Sequence, residues 1–447
     1  MTAPTSTSLA LDRQAFITWY RRNRERSRRL FDLLAEDAYY SRPIALRHPI
    51  VFYEGHLPAF SFNTLVKKGL GGESIEPALE ALFARGIDPS EQSGSESGAR
   101  EWPSRATVQR FAEEADRRVI EALTSAELDQ PGHPLLDRAD AVFAILEHEA
   151  MHQETLLYMW HRLPLSQKRR PIDYQPRVEG HIPTVEWIEV PAGRATLGVG
   201  REAVAFAWDN ELPSHTQDVD RFFMASHDVA NAAFLEFVEA GGYRQERWWR
   251  PDDWRWVQEE SIQHPLFWER RYDQWHWRGM FDLVPLPLAW PVFVSYGEAS
   301  AFAAWSGARL PTEAEFQRAA YGTPEHRERS YPWGNQPPSP QHGVFDFYSW
   351  DPEPGGSHPA GRSAWGIDDL VGNGWKWTST TFAPFPGFRP IASYPEYSAD
   401  FFDGEHFVMK GASPVTSREL LRPSFRNWFR SRYPYVYATI RCVRSGR

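Results

Sequence analysis

His148-Glu149-Ala150-Met151-His152-Gln153-Glu154, set inside the apolar stretch Ala141–Trp160, is the run whose reading decides the fold. Two imidazoles four residues apart on an α-helix lie about 40° apart around its axis and one turn apart along it, so both reach a single metal ion. Val142, Phe143, Ile145, Leu146, Leu156, Leu157 and Met159 recur around them at helical spacing, with no Gly or Pro in the stretch. The run reads as a buried helix that carries a histidine pair.

The spacing alone leaves several uses open. The pair suits a buried, hydrogen-bonded couple with no ligand. It also matches the H-E-x-x-H pattern of zinc proteases, with Glu149 as general base. The extended form of that pattern needs Gly at 155 and His at 158, where the chain has Thr155 and Tyr158, and Glu179 sits in a Pro-rich linker. Glu154 lies about 200° around the helix from His152 and points away from the pair, which suits a supporting or structural role. A third ligand is then expected from another helix. His56, among the apolar and aromatic residues of Ile50–Phe60, is the best-placed candidate. His48 precedes Pro49 and reads as a solvent-facing or capping residue at a helix start. Three neutral imidazoles leave open positions on Fe(II) and suit zinc as well, so spacing does not choose the metal.

Outward from this run, helices are expected over Asp12–Ala38, Ile75–Arg85, Ser104–Leu123 and Ala139–Leu163, with Ser104 and Ser125 as helix starts. Long helices with short links predict a four-helix bundle over residues 1–165. Glu91–Gly98 is polar and Gly/Ser-rich, a loop. Residues 166–183 read as an extended linker. From 184 to 447 the texture is of short strands (Trp187–Pro191, Ala195–Gly198, Phe407–Gly411), a few helices (Asn231–Ala240, Tyr296–Ser306, Thr312–Tyr321) and many turns. The predicted class is α+β in two domains, the second held largely by aromatic packing. The chain's 20 Trp, 17 Tyr and 28 Phe are concentrated there.

At 447 residues the chain is long enough for two or three domains with cores of their own. With 49 Lys and Arg against 59 Asp and Glu, the net charge is −10, which gives no broad basic surface for nucleic acid. The local cluster Arg21–Arg29 reads as a solvated helix face. The single cysteine, Cys442, excludes an intramolecular disulfide and any cysteine-based zinc or iron–sulfur site. There is no apolar run of membrane-spanning length, and Met1–Leu11 lacks a signal pattern. The expectation is a cytoplasmic protein, monomer or homodimer, whose partners are small molecules rather than nucleic acid or membrane.

Several motifs carry a resemblance. The lone upstream histidine with a later His-x-x-x-His-x-Glu resembles the DinB-like helical bundle. Arg309-Leu310-Pro311-Thr312-Glu313-Ala314-Glu315-Phe316, Tyr331-Pro332-Trp333-Gly334-Asn335, Gly372-Asn373-Gly374-Trp375-Lys376-Trp377-Thr378 and Ser424-Phe425-Arg426-Asn427-Trp428-Phe429 resemble the formylglycine-generating-enzyme fold, related to C-type lectin domains. The pairing is similar to the ergothioneine-biosynthesis sulfoxide synthases. That resemblance implies a three-histidine non-haem Fe(II) centre that uses dioxygen to join a sulfur donor to the imidazole C2 of hercynine (Nα-trimethylhistidine). It places the iron ligands on His56, His148 and His152 and the hercynine pocket on Asn427, Trp428 and Phe429. A quaternary ammonium has no N–H to donate, so aromatic faces are its natural partners. Formylglycine generation resembles copper chemistry at paired cysteines, and Cys442 stands alone, as a structural residue of a terminal strand.

The chain also departs from that family. Where the family often places a proton-donating tyrosine, a gap-free reading puts Phe382, so the catalytic residue stays unassigned among Tyr394, Tyr397 and Tyr433. Lys410-Gly411-Ala412-Ser413-Pro414 stands where relatives commonly have Arg-Gly-Gly-Ser-Trp, and Phe52–Phe60 is unlike the usual upstream motif. These departures look more like the selenoneine synthase branch, which implies a selenosugar donor. Such a donor needs neutral hydrogen-bonding and stacking groups, and Trp428-Phe429 and Tyr433-Pro434-Tyr435 are compatible with it. Two other readings are an ergothioneine-type enzyme using cysteine or γ-glutamylcysteine, and a catalytically silent lectin-like module with a structural zinc.

Overall fold

The computed structural model describes residues 12–84 and 102–446. The chain forms two compact units. The first comprises Met1–Arg169 with two short returns, Arg201–Phe206 and Ala392–Tyr394; the second is Arg170–Gly200, Ala207–Ile391 and Pro395–Arg447. The loop expected over Glu91–Gly98 and the N-terminal stretch Met1–Leu11 lie outside the described residues. Among the described residues, no helix is long and apolar enough to cross a membrane.

In the first unit the long helices are α1 (Arg13–Asp32), α2 (Ile50–Ser61, continued by a π-helical stretch Phe62–Gly69), α4 (Arg105–Ser125) and α5 (Asp140–Arg162), with a short α3 (Pro77–Leu82) between. Asp12 and Ser104 cap α1 and α4 by accepting from the amides of Ala15 and Thr107. Tyr20, Phe62, Leu65, Val119, Leu123, Val142, Ile145 and Leu146 form the core. The return Arg201–Phe206 is held here by an Arg201–Asp140 ion pair, and Phe206 stacks on Phe143 at 5.7 Å.

Three expectations change. The second bundle helix is residues 50–69, not Ile75–Arg85. Nearly every residue of α2 is buried, so its sequence is apolar all round and has no readable period. Ser125 ends α4 rather than starting a helix, and its hydroxyl donates back to Glu121 O at 2.9 Å. The Arg21–Arg29 cluster is not wholly a solvated face. Arg24 is buried, donating from Nε to Asp116 (2.7 Å) and from Nη1 to Glu149 (2.9 Å), while Tyr20 and Arg28 also donate to Asp116.

The first part of the expected linker closes onto the first unit, with Ala35 N–H donating to Gln167 O and Arg169 N–H to Leu33 O. In the second unit the main sheet orders the segments Asn427–Arg430, His406–Ala412, Gly374–Thr381 and Ala438–Thr439 side by side. β8 (Gly374–Thr381) pairs antiparallel with β9 (His406–Ala412) across a register shift, β9 pairs antiparallel with β10 (Asn427–Arg430), and β11 (Ala438–Thr439) joins parallel. A second sheet joins β1 (Trp187–Val190), β4 (Phe222–Ala225) and β12 (Val443–Ser445), and Cys442 is buried just ahead of β12. Trp208, Trp277, Trp290, Trp375 and Trp377 are fully buried, and the indoles of Trp290 and Trp377 donate to carbonyls of Arg177 and Val294. Lys376 and Arg441 are buried cations answered by Asp228 and by backbone carbonyls. α7 (Pro251–Glu259) is a helix that the sequence reading did not include.

Arg24→Ala leaves Asp116 and Glu149 buried without their shared cation. It is expected to destabilise the helical unit by about 3–5 kcal/mol. Denaturant unfolding followed by helical circular dichroism measures this, and an unchanged midpoint would show that the network contributes nothing net.

Candidate metal centre

α5 presents His148 and His152 on one face, and α2 presents His56 toward them. One ring nitrogen from each lies within 4.8 Å of the others. The orientation of His56 has a local cause. Gly55 lets the Phe83 ring lie so close that a Cβ there would be 2.5 Å from it, and the Phe83 carbonyl then meets His56 Nδ1 at 2.7 Å. A carbonyl only accepts, so Nδ1 carries the proton and Nε2 keeps its lone pair. That lone pair faces His148 Nε2 at 3.3 Å. The Nδ1 atoms of His148 and His152 are buried with no hydrogen-bond partner.

Apolar walls surround the cluster. Phe60 stacks on His148 at 3.5 Å, and Phe52 lies parallel to His56 at 5.1 Å. Burial lowers the pKa of His56 to about 4 and drives His148 and His152 well below the ordinary histidine value; neighbouring imidazoles push the latter two further the same way. All three rings are therefore neutral at neutral pH, the protonation state a metal requires. The donor set fits a borderline transition metal such as iron or zinc.

Neither carboxylate of the motif belongs to the cluster. Glu149 accepts from Ser27 Oγ (2.6 Å) and from Arg24, so the base that a zinc protease needs is committed to α1. Glu154 is buried on α5. His48 does not cap α2, whose N-cap is Pro49. It stacks on Phe52 at 4.2 Å, extending the aromatic wall.

The tyrosine candidates separate. Tyr394 belongs to the first unit, packs on its core and stands 6.1 Å from His148 and 5.4 Å from Phe60, ring to ring. In the second unit Tyr397 packs on Trp208 and Trp428, and Tyr433 stacks on Phe429. Phe382 is buried there and stacks on Trp428 at 4.3 Å with the rings 4° from parallel.

Asn427, Trp428 and Phe429 are half-buried on β10. Alternation along a strand puts Trp428 on one side and its two neighbours on the other. The contacts agree: Trp428 meets Phe382, Tyr397 and Phe401, whereas Phe429 meets Tyr433. The expected three-residue pocket is thus divided by the strand. Sequence reasoning missed Arg426, which Glu313 grips through both oxygens (2.9 and 3.1 Å) beneath Phe382 and Phe385. The alternating charge of Glu313 and Arg426 across the two motifs was the available signal.

Residues 20–156 match the DinB superfamily, and residues 175–446 match the sulfatase-modifying factor enzyme 1-like domain. The helical part is DinB-like and the sheet-bearing part formylglycine-generating-enzyme-like, one α+β chain of two domains. The chain is 32% identical over 433 residues to the hercynine oxygenase of Mycolicibacterium thermoresistibile, covering 94% of this chain and 92% of that one. It is 32% identical over 402 residues to the hercynine oxygenase of Mycobacterium tuberculosis (89% and 91% covered). With ergothioneine biosynthesis protein 1 of Schizosaccharomyces pombe it shares 28% over 456 residues, covering 92% of this chain and 54% of that one. The chain belongs to the family of these hercynine oxygenases.

Gly55→Ala forces a methyl into the Phe83 ring and shifts the carbonyl that holds His56. A loss of about 1–3 kcal/mol is expected, read from the thermal or denaturant midpoint. A midpoint equal to that of the native chain would show that Phe83 gives way freely.

Proposed function

We propose that this protein is a non-haem iron(II), dioxygen-dependent enzyme that forms a carbon–selenium bond between a selenosugar donor and the imidazole C2 of hercynine. The observation that carries the metal part is the convergence of three neutral imidazoles, two of them buried and His152 half-buried. Among the described residues the cluster offers three donors, one short of the closed four-ligand shell of a structural zinc. That favours an open, reactive site over a silent lectin-like module. His56, His148 and His152 would hold the iron, which when bound supplies the redox chemistry that makes dioxygen reactive. The chain's own part is to keep the ligands neutral, fix His56 through Phe83 O, and wall the cluster with Phe52 and Phe60.

Hercynine as substrate is supported by the named activity of the two mycobacterial relatives and by the chemistry of β10. The half-buried indole of Trp428 offers a face to a trimethylammonium group, worth about 0.5–2 kcal/mol. Asn427 accepts its neighbour's N–H through Oδ1 (2.9 Å), and its Nδ2 protons would be the donors for a carboxylate or ring nitrogen. In this reading Trp428 would take the trimethylammonium end, while Phe429, on the other side of the strand, pairs with Tyr433.

Support for a neutral donor comes from cations already in use. Lys410 donates to the carbonyls of Pro423 and Phe425 at 2.7 Å, Arg422 pairs with Glu211, and Arg426 pairs with Glu313. A carboxylate-bearing thiol would need such a cation, whereas a sugar would not. The second reading, coupling of cysteine or γ-glutamylcysteine to hercynine, is favoured by the ergothioneine biosynthesis proteins among the relatives.

Enzyme loaded anaerobically with Fe(II), given hercynine and then selenosugar, cysteine or γ-glutamylcysteine in air, separates the readings by product mass. The selenosugar is expected to be the preferred donor, and preferential turnover of either thiol would overturn the choice. His148→Ala and His152→Ala are each expected to abolish both bound iron, measured by elemental analysis, and product. Retained turnover in either would remove the metal assignment.

A further inference from the structure

A cavity of ≈ 720 Å³ in the second unit is lined by residues of none of the family motifs. Three segments close it: the end of the helix Asn231–Glu239 with residues 241–244, the end of α7 with residues 261–264, and the hairpin of strands Trp268–Arg271 and Gln274–Arg278. The hairpin turns on Tyr272 and Asp273, and the chain leaves α7 through Ser261. All three take a left-handed φ (49°, 63° and 53°), which a Cβ disfavours. The hairpin turn sets Arg270 opposite Trp275 in the strand register.

The lining is cationic: Arg244 and Arg270 stand against one acid, Glu239. Arg244 folds against Gly241, with Nη2 3.3 Å from where a Cβ would stand there, and among the described residues it pairs with no carboxylate. Arg270 lies over the Trp275 ring at 5.6 Å, and its carboxylate contact is the exposed turn residue Asp273 at 3.3 Å. Trp275 is held in turn by His264, edge-on at 5.1 Å, and by the buried Trp268 at 5.6 Å. Gln258 and Gln263 also line the cavity, and among the described residues no protein group accepts from their amides. Two guanidiniums on different segments, with neutral donors beside them, suit anionic oxygens, since each planar fork takes a carboxylate or phosphate through paired N–H bonds. The volume is that of a small-molecule site. We propose that this cavity binds a small organic anion carrying two or more carboxylate or phosphate groups, with Arg244 and Arg270 each gripping one of them.

Isothermal titration of the full chain with inorganic pyrophosphate and, separately, with tricarballylate at fixed ionic strength reads this site. Saturable binding of at least one probe is expected. Pyrophosphate alone assigns phosphate groups to the ligand, and tricarballylate alone assigns carboxylates. Arg244→Gln and Arg270→Gln are each expected to weaken that binding about tenfold, the worth of hydrogen bonds from a charged donor to a charged acceptor. Arg244→Lys keeps the charge but loses the fork, and is expected to fall between the native chain and Arg244→Gln. Arg247 lies over Trp248 and lines no part of the cavity, so Arg247→Gln is expected to bind as the native chain does. Absence of saturable binding by both probes overturns the proposal. So does native affinity in either Arg244→Gln or Arg270→Gln, and so does an equal loss in Arg247→Gln, which would make the effect one of surface charge alone.

Discussion

The hydrogen bond from His56 Nδ1 to the Phe83 carbonyl decides more than its own strength suggests. It fixes the tautomer of one imidazole and aims its lone pair at His148. It exists because Gly55 admits the Phe83 ring against α2, so that a side chain of hydrogen alone sets the position of the histidine one residue away. With that ring fixed, the i,i+4 spacing on α5 supplies the other two nitrogens. The apolar walls then keep all three uncharged, because in such surroundings the protonated form is the costly one.

The same bundle shows why a local pattern can mislead. H-E-x-x-H at positions 148–152 spells a protease motif, yet successive residues on a helix turn by about 100°, so Glu149 faces α1 rather than the histidines. There it joins Arg24 and Asp116 in a buried ion network that ties three helices together. The glutamate is committed to this ion network, and the histidines beside it face His56 instead.

In the sheet-bearing unit the recurring device is the internal use of charge. Lys376, Lys410, Arg422, Arg426 and Arg441 are held by carboxylates or carbonyls of the fold. Aromatic rings fill the space between them. β10 accordingly carries a half-buried indole on one side and, on the other, an amide and a quite different aromatic pair, Phe429 and Tyr433.

The sequence by itself determined what depends on short spacing: the α5 helix and its histidine pair, the two-domain α+β class, and the motifs that place the chain in its family. His56 was legible as a candidate because an isolated histidine in an apolar run must be neutral or liganded. Long-range packing decided the rest. The extent of α2 was hidden because a helix buried on every side has no hydrophobic period. The burial of Arg24 depends on Asp116 and Glu149, on helices distant in sequence. The division of Asn427 and Phe429 from Trp428 needed the strand to be seen as a strand. Tyr394 was one of three equal candidates until the backbone returned it, and neither of the others, to the unit that holds the histidines. Spacing fixes neighbours on one element, but only the tertiary fold chooses which distant side chains share a site.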